Sequence, residues 1–165
     1  MNKMQKFCEP KSESQEWYTP PYIFQALGIT FDLDAASPGL DKTPWIPAKE
    51  AYTITDNGLE KPWFGHVWCN PPYGLQIPLW IKKMNEHQDG IMMLYSRTDT
   101  RWFQQEIHQA HLACFVSGRI RSIRGDGYSE GIPGCGHMLA AWGEECVTAL
   151  WKSKLGVLYR PCGGG

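Results

Sequence analysis

The chain has 165 residues, 42% of them hydrophobic, with 8 Trp, 7 Tyr and 6 Phe; that is enough apolar surface to offset chain entropy, so global disorder is excluded, and the length suits one core rather than two. Sixteen basic and seventeen acidic side chains leave a net charge of -1, so any contact with nucleic acid has to use a local patch rather than the overall field. No apolar run approaches the roughly 20 residues needed to span a bilayer, and residues 1–16 are polar without the apolar stretch of a secretion signal; the expected location is the cytoplasm, with no membrane partner.

Residues 1–16 carry no periodicity and read as a flexible arm, 17–162 as a single domain and Gly163-Gly164-Gly165 as a tail. Thr19 before Pro20-Pro21 is a helix start; Ile23, Phe24 and Leu27 share a face, and Gly28 is a stop. Ile29 to Ala36 reads as a strand running into the Ser37-Pro38-Gly39 loop, with Asp32 and Asp34 toward its end. Prolines weaken the signal from Leu40 to Pro62, where only a short strand at Tyr52 to Ile54 is expected before an Asp56-Asn57-Gly58 turn.

His66 to Cys69 is a strand stopped by Asn70-Pro71-Pro72, and Leu79 to His87 a helix closed by Asp89-Gly90. Gly90 to Ser96 is a continuous apolar run suited to a strand covered on both faces, followed by a helix from Thr98 to Ala110. Leu112 to Ser117, Arg119 to Ile123, His137 to Trp142 and Leu155 to Tyr159 all read as strands joined by turns. Alternating strand and helix followed by hairpins gives an α/β fold whose sheet is mostly parallel, with an antiparallel C-terminal edge.

The six cysteines, Cys8, Cys69, Cys114, Cys135, Cys146 and Cys162, are widely spread, and free thiols are expected. Cys135, His137 and Cys146 are conceivable zinc ligands, but no Cys-x-x-Cys spacing occurs and no metal is called for. Trp80, Met84, Trp102, Phe103 and Ile107 fall at helical spacings and read as core. His87, His108 and His111 lie near helix ends and suit capping or solvent; Asp99 either caps the following helix or shapes a pocket mouth.

The sharpest signal is Asn70-Pro71-Pro72-Tyr73, directly after a strand. With proline at about 5% of residues, an Asn/Asp-Pro-Pro-aromatic tetrapeptide arises by chance in fewer than about one in a hundred chains of this length. As structure it is a rigid turn. As chemistry, an amide oxygen and a nearby backbone carbonyl, fixed by two prolines, can accept both protons of one exocyclic amino group and leave its lone pair free to attack. Tyr73 would then stack on the base that carries the amine.

A second candidate is Arg119 to Gly131, read as a hairpin. There Arg119, Arg121 and Arg124 could grip phosphates or read guanine edges, or simply form a solvated basic edge.

Further segments in order are Glu16-Trp17-Tyr18-Thr19-Pro20, Phe31 to Pro38, Tyr52-Thr53 with Asp56-Asn57-Gly58-Leu59, Arg97-Thr98-Asp99-Thr100 with Trp102-Phe103, and Gly118-Arg119-Ile120. With the Asn70 loop, they make most of residues 16–125 resemble the compact Dam-like DNA adenine-N6 methyltransferases of bacteriophages and prophages. The resemblance implies a Rossmann-like methyltransferase fold, S-adenosylmethionine as methyl donor and adenine in double-stranded DNA as acceptor, in a bacterial host.

It also implies that Asn70, Pro71, Pro72 and Tyr73 form the catalytic loop and that Tyr18, Thr19 and Pro20 embrace the methionine end of the cofactor. Asp34, with Ala35, stands where a carboxylate accepts from the cofactor's ammonium or ribose hydroxyls, at the carboxyl edge of the sheet. Asp56 corresponds to an acidic contact with its adenine. The aromatic-Gly-x-Gly loop of better-known methyltransferases is replaced by Ala35-Ala36-Ser37-Pro38-Gly39, and no segment is long enough for the separate target-recognition domain of larger adenine methyltransferases. The same loop would equally serve cytosine N4 or a protein glutamine, and loss of cofactor binding would leave a non-catalytic DNA-binding relic.

Overall fold

The structure, a computed structural model, describes residues 17–124 and 134–162. The expected arm at 1–16, residues 125–131 of the arginine hairpin and the glycine tail lie outside the described residues. The elements in chain order are β1 (Trp17–Tyr18), α1 (Pro21–Leu27), β2 (Phe31–Asp34), β3 (Ala48–Ala51), β4 (Val67–Cys69), α2 (Ile77–His87) and β5 (Gly90–Tyr95). Then come α3 (Arg101–Glu106) with a 3-10 turn (Ile107–Gln109), β6 (Leu112–Val116), β7 (Ile123–Arg124), β8 (His137–Trp142), α4 (Glu144–Lys152) and β9 (Gly156–Tyr159).

Seven strands form one mixed sheet in the order β3-β2-β4-β5-β8-β6-β9. The β3, β2, β4 and β5 pairings are parallel, while β8 runs antiparallel between β5 and β6, and β9 pairs antiparallel with β6. β5 is the strand expected from the apolar run. Ile91 and Met93 pack with α1 and α4 residues, whereas Met92 and Leu94 pack with α2 residues, and all four are fully buried. Trp68 does the same for β4, meeting Phe24 of α1 edge-on at 4.8 Å. Helices therefore cover both faces, as parallel strands require.

Four readings are corrected. The strand expected at Tyr52 to Ile54 lies earlier, at Ala48–Ala51, because an edge strand tolerates Lys49 and Glu50. Thr53 to Asp56 is instead a turn, closed by the Thr53 N–H and hydroxyl donating to the Asp56 carboxylate at 2.9 and 2.7 Å. Arg119 to Ile123 is not a strand; only Ile123–Arg124 is, and its partner is β1 in a separate two-stranded sheet. The C-terminal third holds a helix, α4, that separates β8 from β9. Finally, free thiols hold for Cys69, Cys114, Cys146 and Cys162, but Cys135 is disulfide-bonded; pairing is set by the folded chain and not by spacing.

The strand order reverses beside β2. The chain leaves β2 for β3 on one side and returns to place β4 on the other. Such a switch point leaves a crevice beyond the carboxyl ends of β2 and β4, where α/β sheets bind ligands. Asp34-Ala35 and Asn70-Pro71 are the residues at those two ends.

Candidate active site

A cleft of about 390 Å³ occupies that crevice, lined among others by Tyr18, Thr19, Asp34, Ala35, Asn70, Pro71, Pro72 and Tyr73. The volume suits a small organic ligand of drug or cofactor size.

The catalytic-loop candidate is held from two sides. Pro71 is buried and fixes the exit from β4, while Pro72 is exposed. The Asn70 amide nitrogen donates to the Trp17 carbonyl at 3.3 Å and to the Thr19 hydroxyl at 3.4 Å, and the Tyr73 hydroxyl donates to Asn70 Oδ1 at 3.4 Å. A carbonyl can only accept, so the Trp17 contact settles which end of the amide is nitrogen. Oδ1 is left as the acceptor on the Tyr73 side. Burial keeps the Tyr73 phenol well above its ordinary pKa, with Tyr95 adding to the effect, so Tyr73 is neutral and able to donate.

Thr19 is buried, its hydroxyl 3.9 Å from the Met93 sulfur, and its carbonyl accepts from the Trp45 indole at 2.9 Å. Pro20 opens α1, and Gly28 closes it in the left-handed conformation with its N–H on the Phe24 carbonyl. Tyr18 and Thr19 are thereby pinned in the cleft lining, while Pro20, at the start of α1, lies outside it. Tyr18 and Thr19 lie there because β1 pairs with β7, in register Trp17↔Arg124 and Tyr18↔Ile123.

Asp34 is 2% exposed. Burial pushes its carboxyl up to about 6, against the opposing pull of the Ser37 side chain and the Ala36 N–H. Among the described residues no ion pair reaches it. Ala35 continues the β2–β4 pairing through its N–H on the Trp68 carbonyl at 2.9 Å. Gly58 lies so close to the Ala35 carbonyl that a Cβ there would meet it at 2.1 Å, and the Trp63 indole holds the Gly58 carbonyl at 2.8 Å.

Asp56 is placed differently from the other candidates. Its carboxylate is taken by Thr53 and by Lys61 at 3.6 Å, and it is absent from the cleft lining, to which Asn57, Gly58 and Leu59 belong. Arg119 and Arg121 are exposed, outside the cleft, on the segment leading to β7.

Sequence reasoning missed Trp17, Ser37, Tyr52, Trp68 and Gln76 as cleft residues, and placed Trp80 only in the core. Trp17, Ser37 and Tyr52 do stand inside the matching segments, which is the available signal. Asp99 does not cap α3; the cap is Thr100, whose hydroxyl accepts from the Phe103 N–H. The imagined zinc set is dispersed, since Cys146 sits with His66 and Asp89, away from His137.

The model of the family of DNA N-6-adenine-methyltransferases, Dam, matches residues 7–138. The chain belongs to that family. It is therefore a DNA adenine-N6 methyltransferase, and DNA is its substrate. The match takes in the Asn70 loop, Asp34 and the arginine segment alike, and extends beyond residues 16–125 at both ends. A search of curated proteins finds no match. Among the described residues of this Dam-family enzyme, no helix is long and apolar enough to cross a membrane.

Proposed function

We propose that this enzyme moves a methyl group from S-adenosylmethionine to the exocyclic amine of an adenine flipped out of double-stranded DNA, on a Rossmann-like domain spanning residues 17–162. The observation that carries the reading is the amide of Asn70. Its nitrogen is occupied by Trp17 and Thr19, so its oxygen is committed as an acceptor beside Tyr73.

The residues present fit the donor. Asp34 is a buried carboxylate without a cation among the described residues, at the carboxyl end of β2, and burying such a charge unpaired is costly. An ammonium or a pair of ribose hydroxyls bound there would supply what it lacks. Tyr18 and Thr19 line the cleft with Ala35 and Gly58, and Asp56 acts by holding the turn that presents Asn57 to Leu59. When bound, S-adenosylmethionine supplies an electrophilic methyl on a sulfonium.

Asn70 Oδ1 and a backbone carbonyl of the proline turn hold the two amine protons, turning the nitrogen lone pair toward the donor. Tyr73 stacks on the base, releasing Oδ1 to the incoming amine as it does so. No general base is needed before transfer, because the nitrogen becomes acidic only once methylated and can then lose a proton to water. Arg119, Arg121 and Arg124 grip the DNA backbone beside this mouth, since the register Trp17↔Arg124 ties their segment to the strand that holds Asn70. We read the setting as the cytoplasm of a bacterial host carrying a phage or prophage.

The test is incubation with S-adenosylmethionine bearing a labelled methyl and unmethylated double-stranded DNA, then digestion to nucleosides. Label in N6-methyladenine supports the reading; label in N4-methylcytosine, or none in the DNA, overturns it.

A further inference from the structure

Tyr73 presents two ring faces, and one is already taken. The Tyr95 ring stacks on it with centroids 4.0 Å apart and planes 19° from parallel. Tyr95 does not line the cleft, whereas Tyr73 does, so the covered face is the one turned away from the cleft. Beside Tyr95, on the neighbouring strand, lies His137, 4.9 Å away and tilted by 42°. The two are fixed opposite each other by the antiparallel pairing of β5 with β8, in register Tyr95↔His137, which the Ser96 N–H extends by donating to the Gly136 carbonyl. Arg97 stands over the Tyr95 ring at 6.0 Å.

From this geometry we infer that Tyr95, flanked by His137, is a positioning residue for methyl transfer: it holds the Tyr73 ring so that only its cleft-side face is open to the target base. The inference rests on the base-capture role proposed for Tyr73. Base, Tyr73 and Tyr95 then stack in turn, with His137 packed beside Tyr95 across the β5–β8 pairing.

Three features agree with this role. Gly74 has φ +152°, in the region that favours glycine, so a turn that a side chain would strain directly follows Tyr73. His137 is 2% exposed, its Nδ1 has no hydrogen-bond partner among the described residues, and burial together with Arg119 drops it to about 4. The ring beside Tyr95 is therefore neutral and brings no buried charge against the stack. Tyr95, Arg97 and Gly136 also sit where β5 ends and β8 begins, next to the loop, and not in the interior where a purely packing aromatic would be expected.

The experiment compares wild type with Tyr95→Phe, Tyr95→Leu and Tyr95→Ala, using labelled S-adenosylmethionine and unmethylated plasmid DNA. It reads kcat, KM for DNA, and S-adenosylmethionine affinity by calorimetry. Tyr95→Phe preserves the stack and should hold kcat/KM within about twofold. Tyr95→Leu keeps apolar bulk without a ring and should lower kcat/KM by about tenfold, as should Tyr95→Ala, with donor affinity unchanged.

Wild-type rates in Tyr95→Leu would overturn the inference. So would an equal loss in Tyr95→Phe, or a parallel fall in donor affinity. If Tyr95→Ala proves unstable, the Leu and Phe pair alone decides. Failure of the underlying reading shows differently, as wild-type kcat/KM in Tyr73→Ala.

Discussion

Asp34 is kept at a cost to the fold. Its carboxyl titrates near 6 in the folded protein against an ordinary value of about 3.9 when unfolded. The folded state therefore prefers the protonated form, and its stability falls as pH rises from about 4 through about 6, staying at the lower level above that. A rise of this size corresponds to about 2–3 kcal/mol. Asp34→Asn should remove that penalty, raising stability in denaturant titrations near pH 7.5 by up to this amount while leaving it little changed near pH 4. The same variant should weaken S-adenosylmethionine binding by about 1.5–3 kcal/mol in calorimetry, the loss of a charge-assisted hydrogen bond. Unchanged affinity would make Asp34 a turn residue only.

Asn70 differs from an aspartate for a reason visible at its nitrogen end: an oxygen there would face the Trp17 carbonyl at the present 3.3 Å. Asn70→Asp should still transfer methyl measurably, but below wild type. At this scale identity and strand position coincide at Asn70 and Asp34, and the structure places both in the cleft lining. At Asp56 the carboxylate read as a ligand contact lies outside the cleft lining and is held by its own turn. A neighbour three residues away satisfies it, and only coordinates show that.

Among the elements, α4 carries a legible signal that the flanking glycines obscure. Gly143 precedes Glu144-Glu145, Cys146, Ala149 and Leu150 are its buried residues, and Lys152 lies in the last turn, a set of acidic start, apolar face and basic end. The glycines on either side suggest hairpins instead. By contrast β5 can hardly be mistaken, because six consecutive apolar positions admit few other homes in a domain of this size. β7 is beyond reach, since a two-residue strand is defined by its partner β1, more than a hundred residues away in sequence.

α4 is tied to the sheet by His66, whose Nδ1 lies 2.9 Å from Asp89 and Nε2 2.9 Å from Glu145. Burial lowers its pKa, but the hydrogen bonds and charges of Asp89 and then Glu145 outweigh that, so it is raised overall. Its contribution is full below the ordinary histidine value and is lost as pH climbs through the raised one. His66→Ala should cost about 1 kcal/mol near pH 6, a figure already reduced for the exposure of Glu145, and less near pH 9. Equal costs at both pH values, measured by thermal unfolding, would show that the pair contributes no charge effect.

For the molecule as a whole, the switch point beside β2 brings Asp34, the proposed donor contact, and Asn70, the proposed acceptor contact, into one cleft. The arginine segment is the proposed grip on DNA. Replacing Arg119 or Arg121 singly should lower the slope of log affinity against log salt by about one unit for DNA, with sequence preference intact. Loss of preference would mean base reading instead, and an unchanged slope would place the DNA elsewhere. Overall architecture can be read from alternation of strand and helix; the course of β1 across the cleft cannot, because it depends on a two-residue pairing.

The most direct test of the Asn70 assignment is the single-turnover rate of methyl transfer to adenine in Asn70→Ala, compared with wild type under saturating donor and DNA. Losing one preorganised acceptor should lower the rate by about 10²–10³, with S-adenosylmethionine affinity and melting temperature close to wild type. A folded Asn70→Ala enzyme that methylates adenine at the parent rate would contradict it.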